Sequence, residues 1–102
     1  MSTNKAKKIA EKYAEKLKEY KIPLSGVYLF GSSAKGEAKK RSDIDVAIFS
    51  RRKETDQFTI KVGSIRREVD LRIEPHIFSE KDLKTISTPL VEEILRTGIK
   101  VA

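Results

Sequence analysis

Asp43 and Asp45 stand two residues apart at the start of Asp43-Ile44-Asp45-Val46-Ala47-Ile48-Phe49. The alternation predicts a strand over 43–49, with Ile44, Val46 and Ile48 on one face and Asp43, Asp45, Ala47 and Phe49 on the other. Two carboxylates then emerge on one face, about 6–7 Å apart along the strand. A third acid, Asp70, sits in Glu68-Val69-Asp70-Leu71-Arg72-Ile73-Glu74, which alternates in the same way. If that strand pairs beside the first, Asp70 joins Asp43 and Asp45. Three converging carboxylates repel one another unless a divalent cation neutralises them. Carboxylate oxygens are hard ligands, and Mg²⁺ takes one or two of them together with substrate phosphates. The chemistry these residues point to is therefore that of a Mg²⁺–nucleotide site.

The other half of such a site lies upstream. Gly31-Ser32 follows the apolar run Val27-Tyr28-Leu29-Phe30, where a strand gives way to a turn. Glycine permits close backbone approach, the serine hydroxyl is a donor, and backbone N–H groups in such a turn can cradle phosphate oxygens. Lys35, Lys39, Lys40 and Arg41 add positive charge nearby. Each piece has an ordinary reading on its own: an Asp-x-Asp pair ends a strand, a Gly-Ser makes a turn, and Asp70 protects a strand edge. Together they form one ordered pattern.

The elements that must position these residues follow from periodicity. Ile9, Tyr13 and Leu17, flanked by Ala6, Ala10, Ala14 and Tyr20, predict a helix over 5–21, capped by Thr3 or Asn4 and ended by Pro23 and Gly26. Val27–Phe30 is the first strand and 31–41 a loop or short helix. Residues 57–65 are ambiguous between helix and strand. The strand over 68–74 is stopped by Pro75. Ser79 and Asp82 resemble a capping box. Pro89 opens a helix over 90–97 that Gly98 closes, and Ile99–Val101 adds an edge strand. The order predicts an α+β layer fold, a small mixed β-sheet with helices packed on one face.

Composition sets bounds. The 102 residues predict one domain spanning 1–102, with no room for a separate substrate-binding domain. Charged residues make up 36%, with 22 Lys and Arg against 15 acids and a net charge of +7. That balance favours anionic partners, although interspersed Lys and Glu also suit an ordinary solvated surface. The absence of cysteine excludes disulfides and thiolate metal sites. Neither a signal peptide nor a membrane span is recognisable, and a cytoplasmic setting is expected. Arg51-Arg52-Lys53 and Arg66-Arg67 lack interleaved aromatics, so nucleic acid is not expected as a partner. Tyr13 and Tyr20 read as core and interface. His76, the single histidine, is expected in surface or loop packing close to the site.

Gly31-Ser32, ten residues, then Asp43-x-Asp45 resembles the signature of the DNA polymerase β-like nucleotidyltransferase superfamily. The runs Gly31-Ser32-Ser33-Ala34-Lys35-Gly36 and Ser42-Asp43-Ile44-Asp45-Val46-Ala47-Ile48 look like its minimal nucleotidyltransferases. Val69 to His76 resembles their third-carboxylate strand, and Pro89 to Ile99 their closing helix. The resemblance implies that Asp43, Asp45 and Asp70 are catalytic and hold two Mg²⁺ ions, with Asp70 helping to deprotonate an acceptor hydroxyl. It implies nucleotide binding by Gly31, Ser32, Ser33, Lys35 and Ser42. It further implies transfer of AMP from ATP to a hydroxyl of a helical HEPN partner, in a toxin–antitoxin pair. Alternatives are a non-catalytic antitoxin that neutralises its partner by docking, and nucleotidyl transfer to a small molecule or an RNA end. A homo-oligomer is compatible with any of these.

Overall fold

A computed structural model describes residues 2–37, 43–52, 55–86 and 88–102. Helix α1 (Thr3–Glu19) begins at Ser2, whose hydroxyl accepts the Lys5 N–H, rather than at Thr3 or Asn4. It buries Ala6, Ala10, Tyr13, Ala14 and Leu17, the stripe that periodicity predicted. The small alanines bring the helix close to the sheet, while Tyr13 and Leu17 fill the space beyond. Strand β1 (Leu24–Phe30) runs into a single 3-10 turn at Gly31–Ser33, and β2 (Ile44–Ser50) follows.

The ambiguous 57–65 region is helix α2 (Asp56–Ile65), capped by Thr55 and burying Phe58, Val62 and Ile65. Their spacing of four and then three is helical. The Tyr13 hydroxyl donates to the Val62 carbonyl at 2.6 Å and joins α1 to α2. Burial pushes this phenol's pKa up, so it stays a donor.

Strand β3 is where the predicted elements and the structure part. It spans Ile73–Ser79, not Glu68–Glu74. Residues Arg66–Glu68 form a second 3-10 turn, and the chain bends back at Asp70. The Asp70 carboxylate accepts the Arg72 backbone N–H at 2.9 Å and grips its guanidinium at 3.0 and 2.7 Å. Such a local side-chain-to-backbone bond offers the chain an alternative to a ladder. Leu71, read as core-facing, is 69% exposed. Pro75 does not stop β3, because β3 is an edge strand, where a missing N–H is tolerated.

Helix α3 (Glu80–Thr85) starts at the expected capping box, Ser79 with Asp82. Helix α4 (Pro89–Thr97) is capped by Thr88, with Pro89 in its first turn and Gly98 after its end. Strand β4 (Ile99–Lys100) is the expected edge. The sheet order is β3-β2-β1-β4, with β1 antiparallel to β2 and β4, and β2 parallel to β3.

The sheet is mixed, as expected, and α1 and α2 cover one face, burying Val27, Leu29, Ile44, Val46, Ile48 and Ile73. The second face is not bare. Phe49, Ala47, Val91 and Ile94 form a smaller core there, packed by Tyr28, Phe78, Leu83 and Leu95 from the strands, α3 and α4. Asp45 shares that second face by alternation, two and four residues before Ala47 and Phe49.

Candidate active site

The geometry begins with Gly31. Its φ is +74°, a left-handed conformation that favours glycine. A Cβ at this position would stand 2.7 Å from Asp45 Oδ2. The first turn residue thus lies directly against the carboxylate on β2. Register explains the approach, since Phe30, the last residue of β1, pairs with Asp45.

Beyond Gly31 the turn closes on itself. The Ser32 carbonyl accepts the N–H groups of Lys35 and Glu37 at 3.2 and 2.9 Å. Ser33 is buried, with its hydroxyl 3.5 Å from the Asp43 carbonyl, a long contact that spans the two sides of the loop. Lys35 is exposed and lies 3.7 Å from Glu93 on α4. Ser42, the fifth predicted nucleotide contact, lies outside the described residues, as do Lys39, Lys40 and Arg41.

Asp43 is exposed and immediately precedes β2. Asp45 is half-buried, and its Oδ1 is 3.1 Å from His76 Nε2. Parallel pairing sets Asp45 beside Glu74 and Ala47 beside His76. Asp45, Glu74 and His76 offer ligand atoms that all lie within 4.8 Å of one another. No other group of three His, Cys, Asp or Glu with ligand spacing occurs among the described residues. Phe30 packs edge-on against the His76 ring, with centroids 5.1 Å apart, and restricts its plane.

Asp70 is not in this group. It lies ahead of β3 in the turn, bound to Arg72, whose guanidinium holds the carboxyl below its usual range. The place beside Asp45 expected for Asp70 is taken by Glu74. The signal for Glu74 was legible: the alternation continues past it through His76 and Phe78, opposite Ile73 and Ile77. Reading Pro75 as a terminator hid it.

A mixed sheet that carries strand-end carboxylates against a Gly-Ser turn is the framework of a nucleotidyl-transfer enzyme. The chain belongs to the nucleotidyltransferase domain family, whose sequence profile matches residues 7–100. It is 35% identical over 85 residues to a candidate protein adenylyltransferase of Methanocaldococcus jannaschii, covering 79% of this chain and 82% of that protein. Solved structures share the fold. One is a candidate nucleotidyltransferase of Sulfolobus solfataricus, with TM-score 0.64 and 17% identity over 96% of this chain and 80% of that one. Another is a chain of a toxin–antitoxin complex with AMP-PNP, with TM-score 0.68 and 24% identity over 90% and 72%. A third comes from the MntA–HepT toxin–antitoxin, with TM-score 0.60 and 19% identity over 92% and 69%.

The donor set fits a divalent metal. Two carboxylates and one imidazole nitrogen converge beside a turn whose glycine leaves space at Asp45.

Proposed function

We propose that this enzyme transfers AMP from ATP to a hydroxyl group of a partner protein, and that the pair works as a toxin and its antitoxin. The observation that carries the transfer reading is the close approach of Gly31 to Asp45, which sets a Gly-Ser turn against a carboxylate cluster. The Methanocaldococcus relative supports a protein acceptor, and the AMP-PNP complex supports ATP as donor. The toxin–antitoxin neighbours support a toxin partner, which we assign to the HEPN class.

In this reading Gly31, Ser32 and Ser33 place the terminal phosphates through backbone N–H and hydroxyl groups. Lys35 adds positive charge when it leaves Glu93, and Ser42 completes the phosphate contacts. Asp43, Asp45 and Glu74 are the residues that would hold divalent ions, of which Mg²⁺ is the familiar one. Such ions, when bound, neutralise charge on both the attacking and leaving oxygens. The acceptor oxygen attacks the α-phosphorus and forms a new P–O ester bond. The bond to the β-phosphate oxygen breaks, and pyrophosphate leaves. The hydroxyl proton passes to a carboxylate oxygen of Glu74. The protein's contribution is orientation and charge placement. Asp70, tied to Arg72, supports the turn that launches β3.

The test is incubation with ATP labelled at the α-phosphate, a divalent metal, and an extract of the cells that express the chain. Label on a discrete protein, lost with Asp45→Asn, is expected. Label confined to RNA or small molecules, or label unaffected by Asp45→Asn, would contradict the proposal.

A further inference from the structure

We infer that His76 is a direct metal ligand, and that its nitrogen makes the site prefer Mn²⁺ and related first-row ions over Mg²⁺. The inference rests on the proposed metal site but not on the identity of the acceptor.

Three observations carry it. The first is register. Glu74 and His76 are alternate residues of β3, and the parallel ladder sets them beside Asp45 and Ala47 of β2. The imidazole is therefore presented to the same end of the same face as the two carboxylates. The second is distance. His76 Nε2 and Asp45 Oδ1 are 3.1 Å apart. Two neighbouring ligands of an octahedral ion, each about 2.1 Å from it at right angles, are themselves about 3.0 Å apart. The pair, here hydrogen-bonded, also has the spacing that one shared ion would need, and Glu74 is exposed beside it. The third is orientation. The imidazole packs edge-to-face against Phe30, with ring centroids 5.1 Å apart, which limits the ring's rotation.

Ligand chemistry then decides the preference. A site of oxygens alone suits Mg²⁺, a hard ion that gives up its water reluctantly. Imidazole binds later first-row ions more strongly, and mixed carboxylate and imidazole sets accommodate Mn²⁺, Co²⁺ and Zn²⁺. The chain has no cysteine and one histidine, so His76 is the only side chain that can supply this selectivity.

The alternative is that His76 acts from outside the coordination sphere, as a hydrogen-bond donor that positions Asp45. Pulsed electron paramagnetic resonance on the Mn²⁺-loaded, nucleotide-free chain separates the two. Hyperfine coupling to a directly bound nitrogen, altered by ¹⁵N-histidine labelling, is expected. Mn²⁺ that binds without nitrogen coupling, or no Mn²⁺ binding at all, overturns the inference. Calorimetric titration supplies the selectivity. His76→Gln should weaken Mn²⁺ binding about tenfold or more and change Mg²⁺ binding less than about twofold. Equal losses for both ions, or none for Mn²⁺, overturn it. These readouts need no acceptor. Nitrogen coupling together with an absence of any nucleotidyl transfer would uphold His76 and remove the transfer proposal. Transfer without nitrogen coupling would do the reverse.

Discussion

At the residue scale, Gly31 and Asp45 are one device. The positive φ and the 2.7 Å approach of a hypothetical Cβ to Asp45 Oδ2 exclude any other residue without displacement. Gly31→Ala is expected to cost about 1–2 kcal/mol from left-handed backbone strain. It should also push Asp45 aside, so that transfer falls by far more than the stability loss explains. Thermal unfolding and label transfer measured on the same preparation check this, and transfer at the wild-type rate would contradict it. Asp70 belongs to a different device. Hydrogen bonds from Arg72 hold its carboxyl below the usual carboxylate range. Its contribution to stability is whole above about pH 4, where an unfolded Asp is ionised, and is lost as pH falls through the depressed folded value. Asp70→Asn should lower stability at neutral pH by about 1 kcal/mol. It should also flatten the acid limb of the stability profile, as chemical unfolding at a series of pH values would show.

At the scale of elements, helices and turns were legible where side chains carry the instruction locally. The apolar stripe from Ala6 to Leu17, the Ser79 cap and the Pro89–Gly98 pair each lead to the helix observed. The Asp43–Asp45 strand and the Gly31 turn were legible for the same reason. β3 was not, because two alternating runs abut. The earlier one, Val69-Asp70-Leu71-Arg72, folds as a turn held by Asp70. The later one, Ile73 to Ser79, has the parallel partner β2 to pair with and forms the strand. Pairing, which is tertiary, decided between them, and it sets Glu74, not Asp70, beside Asp45. The join between α1 and α2 is also tertiary. Removing the Tyr13 hydroxyl leaves the Val62 carbonyl without its 2.6 Å donor. Tyr13→Phe should therefore destabilise by about 1–2 kcal/mol, a fall of several degrees in Tm, without changing transfer at low temperature. An unchanged Tm would show that this bond is not a stabilising link.

At the scale of the whole molecule, the sheet divides its labour between faces. α1 and α2 bury one face. The other face is apolar where α3 and α4 cover it, and polar where Asp45, Glu74 and His76 gather. Among the described residues no helix is long and apolar enough to cross a membrane. In the proposed reaction the acceptor meets the carboxylate end of the second face. The central claim, that Asp45 and Glu74 rather than Asp70 build the transfer site, is tested most directly by one comparison. Label transfer from α-labelled ATP is measured for wild type, Asp45→Asn, Glu74→Gln and Asp70→Asn, each confirmed folded. The account predicts transfer reduced by about a hundredfold or more in the first two variants, and within a few-fold of wild type in Asp70→Asn. Loss in Asp70→Asn with retention in Glu74→Gln would contradict it.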